Sequence, residues 1–301
     1  MTLVRTHRDS DGIVTGYFVS YSVKNPKIEI WDGEFGDTTD MKSGDWMCDM
    51  RPSKNMEGIN VIDHHLPHPT DRKYNAILDT VPAGLIAWNN FKEDIPKSEW
   101  WKLAISCVGD GQPELIPPEV FEECPKLLTQ IKTSSFQNKY TFKWEMRYFP
   151  MYKLLSSGIN AMLRKKDYEN ALNLLKFAET PTDIIKSPES IKAKAEVRTE
   201  YEKILKSCDS YEFDNLRLVI YSSPYRMAGY VATDMLADAD GKCIMAINRQ
   251  DNHGSLRGEL AYYWRNKLKN LPYLVIDGHP GFCGVSMIGN PDILVDDISK
   301  L

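Results

Sequence analysis

Val61-Ile62-Asp63-His64-His65 is an apolar run that delivers one acid and two histidines to its end. Upstream, Thr6-His7-Arg8-Asp9-Ser10-Asp11-Gly12 brings a third histidine and two more aspartates to the exit of another short apolar run. Carboxylate oxygens mixed with imidazole nitrogens suit a dinuclear Mn²⁺ or Mg²⁺ site. The two segments together imply a metallohydrolase, in which the apolar runs are buried strands and the polar residues gather where those strands end.

Working outward, the first third alternates short apolar runs with amphipathic stretches, which predicts βα units and a mainly parallel sheet. Strands are expected over 1–6, 27–31, 45–50 and 58–63, and a helix over 12–24. Thr80-Val81-Pro82 supplies a cap and a first-turn proline for a helix over 83–91. Trp100, Leu103, Ala104, Cys107 and Val108 share one helical face, so 98–108 is read as a helix ending at Gly109-Asp110-Gly111. From about 134 to 207 the pattern reads as helical and rich in Lys and Glu, with Val197, Tyr201, Ile204 and Cys208 forming one apolar stripe. A second α/β segment follows, with strands over 216–221, 243–248 and 271–276, a helix over 226–237, and a glycine-rich loop from Asp277 to Gly284. The resulting fold class is α/β: an amino-terminal mainly parallel-sheet domain over 1–133, a helical connector over 134–212, and a smaller carboxy-terminal α/β domain over 213–301.

The 301 residues, 42% of them apolar, suffice for sizeable cores. No apolar run approaches the roughly 20 residues that span a bilayer, and the start shows no signal-peptide pattern, so a cytoplasmic protein without membrane contact is expected. Six scattered cysteines, with no C-x-x-C pair, read as reduced core residues. The net charge of -5 argues against a nonspecific duplex binder, which carries a basic excess to displace counterions. A small anionic substrate is compatible with it, because aspartates committed to metal ions become a locally positive site.

In parallel α/β sheets ligands gather at the carboxyl ends of strands, where His7, Asp9, Asp11, Asp49 and His64 are all expected. In this order the motifs His7-x-Asp9-x-Asp11-Gly12, Asp49, Asp63-His64-His65 and Asp110 resemble those of the DHH/DHHA1 phosphoesterase superfamily, which includes RecJ-like exonucleases and nanoRNases. The segment Asp277-Gly278-His279-Pro280-Gly281-Phe282-Cys283-Gly284 is similar to that superfamily's carboxy-terminal Gly-Gly-His loop, so the resemblance covers nearly the whole chain. It implies two Mn²⁺ ions, with Mg²⁺ or another divalent ion as substitutes. One ion would be held by His7, Asp9 and Asp49, and the other by Asp11, Asp49, His64 and Asp110, with Asp49 bridging. It further implies that Asp63 and His65 orient an imidazole and face the phosphate. Ser255 and Arg257 match the family's phosphate-gripping Ser-x-Arg, and Gly278 and His279 lie in the loop that closes on the scissile group. A planar guanidinium suits that grip because it can hold two phosphate oxygens at once.

The first motif places histidine two residues before the first aspartate, whereas the nanoRNase and cyclic-dinucleotide branch places it four before, so the resemblance leans towards the RecJ-like branch. Motif two is a single aspartate, and Asp45 stands as its alternative. His68, between prolines, is read as exposed loop and His253 as a turn. Trp100, Trp101, Tyr140, Phe142, Trp144, Tyr148, Phe149 and Tyr152 are read as core or interdomain packing in preference to base stacking, and Arg164-Lys165-Lys166 as a solvated helix face. The implied activity is Mn²⁺-dependent hydrolysis of short single-stranded oligonucleotides by a hydroxide held between the metals. The alternatives are a cyclic-dinucleotide phosphodiesterase or 3′,5′-bisphosphate nucleotidase, a long-strand RecJ-like exonuclease, and a noncatalytic nucleotide sensor. Short nucleic acid or a nucleotide is the expected partner, and whether the chain forms a homodimer stays open.

Overall fold

The computed structural model describes residues 1–33, 36–65, 68–137, 144–279 and 281–300; at 134–137, 144–146, 277 and 279 it describes the backbone alone. Two compact units divide the chain, one comprising 1–163 with 167–194 and the other 164–166 with 195–301.

The first unit is built on five parallel strands, β1 (Thr2–Thr6), β2 (Pro26–Ile30), β3 (Trp46–Cys48), β4 (Asn60–Asp63) and β5 (Asn75–Leu78), in the order β2-β1-β3-β4-β5. Helix α1 (Ser10–Ser22) runs back from β1 and is followed along the chain by α2 (Ala83–Phe91) and α3 (Leu103–Gly109). Both α2 and α3 pack on α1, which is buried from Ser10 to Val19. A helix covered on both sides needs apolar or small residues all round, and Gly-Ile-Val-Thr-Gly-Tyr-Phe-Val meets that demand. Gly12 and Gly16 let it approach the sheet: a Cβ at Gly12 would lie 2.6 Å from the His7 carbonyl oxygen, and one at Gly16 2.4 Å from the Thr6 methyl. Arg5, 2% exposed, is compensated by Glu29, by the Asp37 and Thr39 carbonyls and by the Trp31 ring beneath it.

Strands and helices fall close to the expected positions in this unit, with three corrections. The short β5 has no counterpart in the sequence reading. The expected 98–108 helix is a 3₁₀ turn over Lys97–Lys102 that leads into α3. After α4 (Pro118–Glu123) the chain forms an antiparallel hairpin, β6 (Gln130–Gln137) with β7 (Trp144–Pro150), where helix was expected from 134. β6, Gln-Ile-Lys-Thr-Ser-Ser-Phe-Gln, lacks the apolar alternation by which a strand is read from sequence. Helices α5 (Tyr152–Arg164), α6 (Tyr168–Phe177), α7 (Pro181–Lys186) and α8 (Pro188–Ser207) follow. A Thr180–Asp183 capping box and Pro181 start α7.

The second unit carries six strands ordered β12-β13-β11-β10-β9-β8: β8 (Asp209–Glu212), β9 (Leu216–Tyr221), β10 (Cys243–Asn248), β11 (His253–Arg257), β12 (Leu274–His279) and β13 (Phe282–Met287). Only β9 and β10 pair in parallel, and α9 (Ala228–Leu236) connects them. Helices α10 (Ala261–Leu268) and α11 (Ile293–Ile298) contribute Leu268 and Ile298 to a core shared with Leu218 and Met245. The stripe on α8 is buried at Val197, Tyr201 and Ile204, and Tyr201 packs on Tyr230 of α9. The glycine-rich segment is no loop: it runs through the β12–β13 hairpin, with Gly278 opposite Cys283 and His279 opposite Phe282. Arg164 also differs from its reading, since its guanidinium lies 5.0 Å from the Tyr230 ring rather than in solvent. Among the described residues no helix is long and apolar enough to cross a membrane.

The close approach of α1 yields a stability test. Gly12→Ala gains about 1 kcal/mol of helix propensity, but the new methyl collides with backbone, and overpacking costs about 1–3 kcal/mol. The expected outcome is a net fall in the urea midpoint; an unchanged or raised midpoint would show that α1 has room to move.

Candidate metal centre

The site grows from three adjacent strand ends. Because β1, β3 and β4 are parallel neighbours, the residues that leave them emerge together: His7 after β1, Asp49 after β3 and His64 after β4. The ladder extends one residue past the strands, His7 N–H donating to the Cys48 carbonyl (3.1 Å) and Asp49 N–H to that of Ile62 (2.7 Å). Asp49 sits at φ +58°, a left-handed turn that aspartate tolerates better than bulkier residues.

Helix ends bring the remaining carboxylates. Asp9 is the N-cap of α1, accepting from Gly12 N–H at 2.9 Å. Asp11, in the first turn, accepts at 2.8 Å from both Ala83 and Gly84 N–H at the start of α2, and at 2.6 Å from the Ser106 hydroxyl. Gly84 is required there, since a Cβ would lie 2.4 Å from Ser106 Oγ. Asp110 follows α3, whose last residue, Gly109, passes too close to Ser10 for any side chain.

These residues meet around Asp49. Its Oδ2 lies 3.3 Å from His7 Nδ1, and its Oδ1 lies 3.1 Å from His64 Nε2 and 3.7 Å from His65 Nδ1. His7 Nδ1 is 2.7 Å from Asp9, and His64 Nδ1 is 3.4 Å from Asp110. Three sets have donor atoms within 4.8 Å of one another: His7–Asp9–Asp49, Asp49–His64–His65 and Asp11–His64–Asp110. Asp11, Asp49 and His64 form a buried floor, whereas the His7, Asp9, His65 and Asp110 side chains keep 24, 43, 25 and 23% exposure. Solvent reaches the cluster along that rim.

The electrostatics identify what the cluster accommodates. Burial alone pushes the His7 imidazole down, yet the Asp9 and Asp49 carboxylates outweigh it and raise its pKa from 6.5 to about 10. His64 behaves alike, with burial opposed mainly by Asp49, and also reaches about 10. Burial, then repulsion from Asp49 and Asp110, lifts Asp11 well above the carboxylate range; burial, with Asp49 and Asp9 opposed by His64, lifts Asp110 to about 6. Protons thus neutralise a concentration of negative charge. Asp49 Oδ1 is moreover buried without an aligned hydrogen bond. A buried carboxylate oxygen facing imidazoles and acids fits divalent cations, with their demand for oxygen and nitrogen donors.

The other expected residues are distributed as follows. Asp45 stands at the opposite end of β3 from Asp49, and its two oxygens accept at 2.8 Å from Leu3 and Lys42 N–H, so it acts as a backbone clamp remote from the cluster. Asp63 is fully buried and holds the His65 ring at 2.7 Å. His68, expected in solvent, is buried and bonds Asp63 and Tyr74. In the second unit, Ser255 and Arg257 lie on β11; Arg257 Nε is buried without a hydrogen-bond partner, and burial lowers the guanidinium to about 10. The first turn of α9 passes beside it, a Cβ at Gly229 lying 3.3 Å from Arg257 Nη2. Gly278 takes φ +138°, where a Cβ would meet the Phe282 carbonyl at 2.4 Å. The His279 side chain, Tyr140, Phe142 and Pro280 lie outside the described residues. His253 is in β11 rather than a turn and contacts Ser286 Oγ at 3.1 Å. Trp100 and Trp101 are core residues, whereas Tyr148 and Phe149 are exposed.

No protein-family model and no curated protein sequence matches the chain. Solved structures do. RecJ from Thermus thermophilus in complex with Mn²⁺ superposes with a TM-score of 0.66 at 15% identity, over 99% of this chain and 51% of that one. An exonuclease RecJ bound to manganese gives 0.63 at 16% identity, over 99% and 88%. A pGpG-specific phosphodiesterase, PggH, from Vibrio cholerae gives 0.52 at 13%, over 100% and 97%. The chain shares the fold of these structures, and spans about half the length of the Thermus RecJ.

The charge balance gives a pH dependence for chelated protein. His7 and His64 have folded values above their unfolded 6.5, so their stabilisation is complete below 6.5 and lost as pH rises through about 10; Asp110, raised to about 6, acts with the same sign at lower pH. In excess chelator the melting temperature is expected to fall between pH 6.5 and 10. A flat or rising profile over that range contradicts the assignment.

Proposed function

We propose that this chain is a cytoplasmic, Mn²⁺-dependent phosphodiesterase that hydrolyses short single-stranded oligonucleotides. The observation that carries the reading is the sharing of Asp49 between two of the ligand sets, one with His7 and Asp9 and one with His64. His7, Asp9 and Asp49 would hold one ion, and Asp11, Asp49, His64 and Asp110 the other. When bound, such a pair supplies Lewis acidity and acidifies water at neutral pH. The fold's likeness to manganese-bound RecJ is consistent with this assignment.

The protein's own groups would do the rest. Asp11, tied to the start of α2 and to Ser106, is a rigid ligand that cannot swing away. His65 stands at the rim with Nδ1 committed to Asp63, which suits it to contact a phosphoryl oxygen or the leaving group. On the second unit, Arg257 has an unused buried Nε–H, and Ser255 shares its strand. A guanidinium in that condition gains most from a phosphate, which accepts two of its hydrogen bonds in one plane. Gly278 and His279 would complete the substrate grip. Among the described residues the six cysteines form no disulfide, in accord with a reducing compartment.

A second reading, cleavage of a dinucleotide, is favoured by the full-length superposition on PggH, described as pGpG-specific. The two separate in a panel of 5′-labelled strands of increasing length, with pGpG and a cyclic dinucleotide, at constant Mn²⁺. Short oligonucleotides are expected to be cleaved fastest. A marked preference for pGpG establishes the second reading, and binding without product from any member points to a sensor.

Two substitutions test the site itself. Asp49→Ala and His64→Ala are each expected to reduce turnover on the order of 100-fold or more, since even groups supporting a metal ligand contribute 10–100-fold. Asp45→Asn is expected to retain turnover while lowering stability by about 1–3 kcal/mol, because its amide nitrogen cannot accept one of the two backbone N–H groups that the carboxylate holds. Equal activity in the Asp49 variant and the parent contradicts the mechanism.

A further inference from the structure

A chain of three hydrogen bonds runs from the interior of the first unit to the rim of the metal centre. Tyr74 Oη lies 2.9 Å from His68 Nδ1, His68 Nε2 lies 3.0 Å from Asp63 Oδ2, and Asp63 Oδ1 lies 2.7 Å from His65 Nδ1. Tyr74, His68 and Asp63 are 4, 9 and 0% exposed, so only the His65 end reaches solvent. The tyrosine and histidine rings also meet edge to face, with centroids 5.9 Å apart.

The carboxylate sets the donor and acceptor pattern. Asp63 faces two backbone N–H groups and two imidazole rings, all of them able to donate to it. Oδ1 accepts from His64 N–H, His65 N–H and the His65 ring, which leaves Oδ2 to His68. A carboxylate can only accept, so His68 donates from Nε2, while its Nδ1 shares a hydrogen bond with the Tyr74 hydroxyl. By the same logic His65 donates from Nδ1 to Asp63. Remove His68, and one oxygen of a fully buried carboxylate has no donor. Asp63 would turn to find one and release the ring it fixes.

We infer that His68 and Tyr74 are positioning residues: acting through Asp63, they lock His65 into the Nδ1–H tautomer and the orientation in which its Nε2 meets the substrate. Neither residue touches a proposed ligand atom. The histidine bound to the carboxylate decides how that carboxylate presents its other oxygen, as the outer partners of metal-site imidazoles commonly do. The consequence for turnover rests on the phosphodiesterase reading, whereas the consequence for the tautomer does not.

The test uses His68→Ala, His68→Gln and Tyr74→Phe in the full chain. Glutamine can donate to Asp63 Oδ2 through its amide, so it is the conservative partner. In ¹⁵N-histidine spectra of the protein loaded with diamagnetic Mg²⁺, the parent is expected to show His65 as a single tautomer with a downfield Nδ1–H proton. His68→Ala should convert it to a tautomer mixture, His68→Gln should restore it, and Tyr74→Phe should give an intermediate state. With Mn²⁺ and a short oligonucleotide, kcat should fall about 10–100-fold in His68→Ala with KM changed less than about 3-fold, and His68→Gln should recover most of the loss. An unaltered His65 tautomer in folded His68→Ala overturns the inference. So does an equal kcat loss in the alanine and glutamine variants. If the parent turns over no oligonucleotide, the phosphodiesterase reading fails, and the spectra alone still decide the positioning role.

Discussion

The structure depends on one constraint: the mutual repulsion of carboxylates gathered at the ends of three parallel strands. Asp49 is almost fully buried and Asp11 equally so, with Asp110 and Asp9 nearby on the rim. Such a group of anions is stable only if each oxygen has a compensating partner. The backbone supplies some: Ala83 and Gly84 N–H for Asp11, Gly12 N–H for Asp9. The imidazoles of His7 and His64 supply others, at the price of holding protons far above their ordinary range. Divalent cations would relieve the remainder. The glycines of α1 and α2 serve the same end, because they allow the helices to come close enough for their amides and caps to reach the acids.

The arrangement connects local chain geometry to chemistry in a few steps. Parallel pairing aligns the exits of β1, β3 and β4, and the left-handed turn at Asp49 redirects the chain there. Helix α1 then starts from an aspartate that is both cap and candidate ligand. The fold supplies that frame, while function belongs to the particular side chains mounted on it. Here those side chains form a floor of Asp11, Asp49 and His64 and a rim on which His65 is steadied from behind.

Much of this was legible in the residues, for physical reasons. A parallel strand buried on both faces reads as a continuous apolar run, so Val61-Ile62 and Cys243–Asn248 announce themselves, and polar residues at their ends stand out. Helix α2, signalled by Thr80-Val81-Pro82, spans the expected 83–91. What escaped was structure fixed by distant partners. β6 has no apolar alternation, and β11 and β13 carry glycines and a histidine that locally read as turns. Whether Asp45 or Asp49 joins the cluster depends on which end of a three-residue strand each occupies, a matter of one or two residues. His68 stands between two prolines, and nothing in that neighbourhood discloses that its ring folds back on Asp63; a spacing of five residues from a buried acid was the only available signal.

The most direct measurement is anomalous diffraction at the manganese edge from crystals grown with Mn²⁺. The expected result is two peaks per chain within coordinating distance of Asp49, one also beside His7 and Asp9 and the other beside Asp11, His64 and Asp110. A single peak, or peaks remote from Asp49, would contradict a shared carboxylate as the centre of the site.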